Sequence, residues 1–333
     1  MNAYKSFAVT VTGGSHIKHG KGCEDFSFKH EDSGASIVVV ADGHGEDNCF
    51  RSARGAALAV ACAAKAMQEF VELYKSNFSS GRLRKKMLPS HDDLDKAVRD
   101  LVKHIIALWQ AKVEENYAAR PFTTEELEKA DDKHRKKFEA GNGLNRAYGT
   151  TLLAAAITPH YWFGFHIGDG RLTALYPDGT CDQPVPWDEK CYLNVTTSIC
   201  DDDAFDRTRC YFSLHEEKPP PVAVFLCSDG IDDNYPVDEN EKYLYKLYRT
   251  IALTFSEDGF ESTCKQLKDL LNSFATKGKG DDTSIAGFIN METLKKAVPA
   301  WKKQIIKEEL SVEKAPAGSF INDVKKGPLI RLW

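Results

Sequence analysis

The chain has little that would place it at a membrane or on nucleic acid. No apolar run comes near the roughly 18 residues that a membrane-spanning helix needs. Residues 1–6 are polar and lead straight into a β-branched stretch, so the basic and apolar regions of a secretory signal are missing and a cytoplasmic protein is expected. Positive charge is in deficit: 44 Lys and Arg stand against 49 Asp and Glu, a net charge of −5, which leaves no general excess for binding a phosphate backbone. The local basic run at 82–86 reads as a solvated loop. The nine cysteines include no Cys-x-x-Cys pair, and the near-regular spacing of Cys181, Cys191, Cys200 and Cys210 matches no zinc pattern. Reduced structural thiols in a reducing compartment are expected instead. A Gly-x-Gly-x-x-Gly fingerprint is also missing, and strands do not alternate regularly with helices, so a dinucleotide-binding fold is excluded.

What is present is enough for a large core: 42% of 333 residues are hydrophobic. Alternating or continuous apolar runs predict strands at 7–11, 25–29, 36–41, 150–157, 161–167, 172–176, 222–227 and 284–289. An Ala-rich helix is expected over 53–74, a loop over 75–90, and an amphipathic helix from Leu94 to Trp109. A charged helix over 124–140 has Thr123 and Glu126 spaced as a capping box. Tyr176-Pro-Asp-Gly-Thr180 reads as a hairpin turn and 181–221 as an irregular excursion. Helices follow at 241–254, 260–275 and 291–310. Strands come in runs with helices grouped apart from them, which predicts an α+β fold with mainly antiparallel sheet.

Five Asp-Gly dipeptides begin at Asp42, Asp169, Asp178, Asp229 and Asp258. Those at Asp178 and Asp258 read as turns. The other three follow buried strands, where carboxylates from distant segments can meet. Like charges brought together repel unless a cation joins them, and carboxylate, carbonyl and water oxygens suit Mg²⁺ or Mn²⁺. A glycine after each Asp leaves space for such an ion and its ligands. The acidic pairs Glu24-Asp25 and Asp281-Asp282 join the set, although either alone could be a solvated turn.

Asp42-Gly-His-Gly45, Gly149-Thr-Thr151, Gly168-Asp-Gly-Arg171, Ser228-Asp-Gly-Ile-Asp-Asp233 and Gly280-Asp-Asp-Thr-Ser284 occur in that order. Together they resemble the metal-dependent, type 2C (PPM) protein phosphatases. The stretch from Gly14 to Asp25 resembles the opening motif of a bacterial branch of that family. The resemblance spans roughly 7–290 and implies a four-layer α-β-β-α sandwich of two mainly antiparallel sheets, one catalytic domain over 1–290, and a C-terminal helix and tail over 291–333 belonging to it or packed on it. It implies two or three Mg²⁺ or Mn²⁺ ions. Asp42 and the carbonyl of Gly43 would bind the first, Asp42, Asp229 and Asp281 the second, and Asp169 with Asp233 a weaker third. Glu24 and Asp25 would contact the ions or their ligands, and Asp282 would support them from behind. Gly170 stands where the family usually has Ser.

The activity implied is hydrolysis of phosphoserine and phosphothreonine on proteins by a metal-bridged water or hydroxide, with His44 as general acid. The Arg that many relatives place just before the Glu-Asp pair is missing, which leaves Lys21 or His16 to hold the phosphate. The expected partners are phosphorylated proteins, with neither nucleic acid nor membrane, and the expected state is a monomer. Competing readings are a silent phosphatase-like scaffold, a phosphatase of small molecules, and a Ca²⁺-binding structural protein. The last lacks the twelve-residue loop that Ca²⁺ sites of that kind use.

Overall fold

The computed structural model describes residues 3–79, 90–188, 190–191, 195–236 and 239–312. The basic run at 82–86 and the tail beyond 312 lie outside them. The chain opens with β1 (Tyr4–Val11), α1 (Gly14–Lys18), β2 (Asp25–Glu31) and β3 (Ser36–Asp42), and then α2 (Ser52–Ser79) and α3 (His91–Ala119). Three short helices follow, α4 (Thr124–Lys129), α5 (Asp132–Glu139) and α6 (Leu144–Ala147), before β4 (Leu152–Ile157), β5 (Tyr161–Ile167), β6 (Arg171–Leu175) and β7 (Cys181–Asp182). The second half holds α7 (Ala204–Arg207), β8 (Arg209–Leu214), β9 (Ala223–Cys227), α8 (Asp229–Asp232), α9 (Asn240–Asp258), α10 (Phe260–Lys277), β10 (Thr283–Asn290) and α11 (Met291–Val312).

Two sheets of five strands form, ordered β1-β10-β9-β6-β7 and β2-β3-β4-β5-β8, and every pairing between these strands is antiparallel. Side-chain alternation explains the layers. In β3, Val38 and Val40, beside Leu153 and Ala155 of the neighbouring β4, face the other sheet, where they meet Leu172, Val224, Leu226, Ala286 and Phe288. Ile37, Val39 and Ala41 face outward onto α2 and α3. In the first sheet, Phe225, Cys227, Ile285 and Ile289 point outward onto α9, α10 and α11. Strands covered on both faces carry continuous apolar runs, which is why β3 and β4 show no polar alternation. The α+β, four-layer architecture read from the sequence is thus borne out. Among the described residues no helix is long and apolar enough to cross a membrane.

Three expectations are corrected. The helix expected over 124–140 is broken, because Ala130 adopts an extended conformation and Asp131 starts a new helix by accepting from the His134 amide; the capping box at Thr123 and Glu126 is present as read. Residues 75–79, expected to belong to a loop, are the last turn of α2, which runs to Ser79; the rest of that expected loop, 80–89, lies outside the described residues. The excursion at 181–221 contains a strand, β8, which pairs with β5 from Tyr161 opposite Leu214 to His166 opposite Arg209.

Candidate active site

The carboxylates are brought together by strand ends at one edge of the sandwich. The register of β2 and β3 sets Asp25 directly opposite Asp42. Asp169 follows β5, Asp229 follows β9, and Asp281 and Asp282 precede β10, so antiparallel pairing puts all of them at the same edge. A cavity of about 370 Å³ opens there, lined by Glu24, Asp42, Gly43, His44, Asp169, Asp229, Asp281 and Asp282 among others.

Backbone contacts explain the motifs around them. The Asp42 carbonyl accepts from the Thr151 amide at 2.8 Å and from the Thr150 hydroxyl at 2.8 Å, while the Asp42 amide donates to the Thr151 hydroxyl at 3.0 Å. Gly149-Thr-Thr151 is therefore the clamp that holds the turn after β3. Gly43 donates to the Glu24 carbonyl at 3.1 Å, and a Cβ there would sit 2.9 Å from both that oxygen and the Ser52 backbone, so no larger residue fits. Asp282 turns away from the cavity centre to tie three segments. Its carboxylate accepts from the Gly13 amide at 2.6 Å and the Glu24 amide at 2.5 Å, and meets His16 Nδ1 at 3.0 Å. Arg171, from the Gly168-Asp-Gly-Arg171 motif, pairs with Asp232 at 2.7 Å and lies 4.8 Å over the Trp187 ring, which anchors the helix that starts at Asp229.

The electrostatics are unbalanced. Burial, then the charges of Asp25, Asp229 and Asp169, push the Asp42 carboxyl far above the ordinary carboxylate range. Asp229 is raised by burial and then by Asp169 and Asp281. Burial likewise raises Asp25, Asp169 and Asp281. Asp25 keeps one hydrogen bond, accepted from the Ser228 hydroxyl at 2.8 Å. Asp25 Oδ1, Asp229 Oδ1 and Glu24 Oε2 are buried oxygens with no hydrogen-bond partner. Such atoms are costly unless a cation or water takes their lone pairs.

The donor set therefore fits a hard divalent ion in charge and in oxygen chemistry. Among the described residues no three acidic, His or Cys side chains stand close enough to grip an ion as placed, so the carboxylates would have to turn inward to share one. His44, whose amide donates to the Gly149 carbonyl at 3.1 Å, carries an unpartnered buried Nε2. Burial, helped by the Arg146 charge, lowers its ring to about 4, so the imidazole is neutral near pH 7.

The predicted site residues divide as follows. Glu24, Asp42, Gly43, His44, Asp169, Asp229, Asp281 and His16 line the cavity. Asp25 is buried behind it. Asp233 is exposed, close enough for its charge to act on Asp169, Asp229 and Asp281. Lys21 is exposed and does not line the cavity. His16 does, but its Nδ1 is held by Asp282 and its Nε2 stands 3.7 Å from Glu24. The sequence reading missed Thr196, which lines the cavity and donates to Asp169, and Lys279, which lines the cavity two residues before Asp281. Thr196 lies inside a stretch with no periodic signal. Lys279 is marked in the sequence only by the glycines on either side of it.

A family model described as Protein phosphatase 2C matches residues 12–311. The chain belongs to the protein phosphatase 2C family. The resemblance read from the five motifs, and the protein phosphatase class it implied, are borne out. No protein in a curated set of sequences matches the chain. Among solved structures, PppA, described as a key regulatory component of T6SS in Pseudomonas aeruginosa, is 17% identical with a TM-score of 0.51, covering 86% of this phosphatase and 97% of that chain. Serine/threonine phosphatase Stp1 from Staphylococcus aureus is 15% identical, TM-score 0.49, over 86% of this chain and 94% of that one. The catalytic domain of the serine threonine protein phosphatase PstP, in complex with 2 manganese ions, is 14% identical, TM-score 0.46, over 86% and 97%. The first of these shows the shared sandwich fold.

Proposed function

We propose that this member of the phosphatase 2C family hydrolyses phosphoserine and phosphothreonine monoesters on proteins, with Mg²⁺ or Mn²⁺ held at the strand-end carboxylates. The observation that carries the reading is the excess of buried, mutually repelling carboxylates around one open cavity, with oxygens left unpartnered. Asp42, the Gly43 carbonyl, Asp229 and Asp281 would hold two ions, with Glu24 and Asp25 beside them and Asp169 and Asp233 at a third position. When bound, the ions would supply a nucleophile at neutral pH and offset the charge of the phosphate.

The chain's own residues do the rest. The Thr150–Thr151 clamp and the Asp282 ties keep the carboxylate-bearing turns in place, so little reorganisation is needed during reaction. His44 is the proposed donor to the departing serine or threonine oxygen. Its ring must gain a proton first, and a doubly negative phosphate ester entering the cavity favours the protonated form against the burial and Arg146 charge that hold it neutral.

The decisive experiment follows phosphate release from a phosphothreonine peptide and from p-nitrophenyl phosphate, with Mn²⁺ and with chelator. Asp42→Asn is expected to abolish turnover of both while circular dichroism, and melting in chelator, stay near those of the parent. His44→Gln is expected to slow the peptide more than p-nitrophenyl phosphate, whose leaving group needs no proton. Metal-independent turnover, or an active Asp42→Asn variant, would overturn the assignment.

A further inference from the structure

The side chains that line the cavity, taken without the ions they would hold, repel a phosphate. Seven of the lining residues are acidic: Glu24, Asp42, Glu46, Asp169, Asp229, Asp281 and Asp282. His44 is assigned to the departing oxygen, and His16 is engaged by Asp282 and Glu24. Among the described residues that line the cavity, one Lys and no Arg occur, and the Lys is Lys279.

Its backbone is held on both sides. Gly278 donates to the Phe274 carbonyl at 2.9 Å, closing α10, and packs so tightly on Asn234 that a Cβ would lie 1.8 Å from its Oδ1. Gly280 has φ +84°, a conformation open to glycine, and its carbonyl accepts from the Ser15 amide at 2.9 Å. The residue between them is thus presented from a fixed root at the cavity wall, with an exposed side chain. A long ammonium side chain on such a root can sweep the opening and meet an anion as a point charge.

We infer that Lys279 is the phosphate-gripping residue of this phosphatase, a substrate-binding cation supplied from the segment before Asp281-Asp282 in place of the missing Arg before Glu24-Asp25. This rests on the phosphatase reading above and deepens it. Lys279 would bind the non-reacting oxygens of the phosphomonoester dianion, in the substrate complex and the transition state alike. Its loss should therefore act on KM and leave kcat nearly unchanged.

The test uses the full-length Mn²⁺-loaded enzyme with a phosphothreonine peptide, and inorganic phosphate as competitive inhibitor. Lys279→Ala is expected to raise both KM and the inhibition constant of phosphate by about tenfold, of the order of one lost charge-assisted hydrogen bond. Lys279→Arg should restore most of the loss, and Lys279→Glu should exceed it. Mn²⁺ affinity, read by calorimetry without substrate, should rise or stay level in Lys279→Ala, since a cation has been removed near the carboxylates. An unchanged KM and phosphate inhibition constant, a fall in kcat alone, or a weakened Mn²⁺ affinity that accounts for the KM change would each overturn the inference. An inactive parent enzyme would instead sink the function itself, so the two failures are distinguishable.

Discussion

Single atoms govern the edge where the site lies. Gly170 stands where the family's Ser would be, and the reason is steric: a Cβ at this position would lie 2.3 Å from the Cys227 carbonyl oxygen and 3.1 Å from the Leu153 methyls. The β6–β9 pairing has closed over that space, with Arg171 opposite Cys227. Gly170→Ser should therefore act as overpacking, not as recovery of a hydroxyl. The expected cost is about 1–3 kcal/mol in urea denaturation, with a loss of turnover as Asp169 is displaced; a stable, fully active variant would contradict it. Asp42, Asp169 and Asp229 stood out in the sequence because each precedes a glycine at the end of an apolar run, whereas Glu24, Asp25, Asp233 and Asp281 were marked by the family's motifs. The residues that serve them were less so. The supporting role of Asp282 came from the family resemblance alone, and only the fold brings the Gly13 and Glu24 amides to it. Thr196 reaches Asp169 from a stretch whose sequence has no period.

Among the elements, those with a strong hydrophobic period fell close to their predicted limits, and those without one did not. β5 is found at Tyr161–Ile167, as read. β8 was missed because Arg209-Cys-Tyr-Phe-Ser-Leu214 lies at the sheet edge and has partly buried residues in its first half, so its apolar signal is diluted. The break between α4 and α5 follows from the Asp131 cap, a local hydrogen bond that periodicity does not register. The last helix shows how firmly an element can be attached. Trp301 on α11 is fully buried, donates to the Tyr176 carbonyl at 2.8 Å, and packs beside Gly179 of the β6–β7 turn. It fastens residues beyond 290 to the sheet. Trp301→Ala is expected to cost about 3–5 kcal/mol, measured by chemical denaturation, and a cost below 1 kcal/mol would mean that α11 is not part of the same cooperative unit.

At the scale of the whole molecule, the two sheets act as a frame that forces acidic strand ends together against their charge. A protein built so should be tighter with its cations than without them. At a metal concentration about a hundred times the dissociation constant, binding to the folded state alone adds about 2.7 kcal/mol. Thermal unfolding should accordingly shift upward by several degrees when Mn²⁺ replaces chelator, and the shift should shrink in Asp42→Asn. An identical melting curve in both conditions would remove the ions from the account.

The pairing of β1 with β10, eight residues in register from Tyr4 opposite Asn290 to Val11 opposite Thr283, carries a consequence for biosynthesis. Strand β1 waits for a mate from the far end of the described fold, and long-range closure of this kind is slow. Until that mate arrives, Gly13 and Glu24 have no Asp282 to fasten them. A polypeptide that stops short of β10 therefore lacks both the last acids of the cluster and the knot that fastens its opening segment, and is expected to release no phosphate.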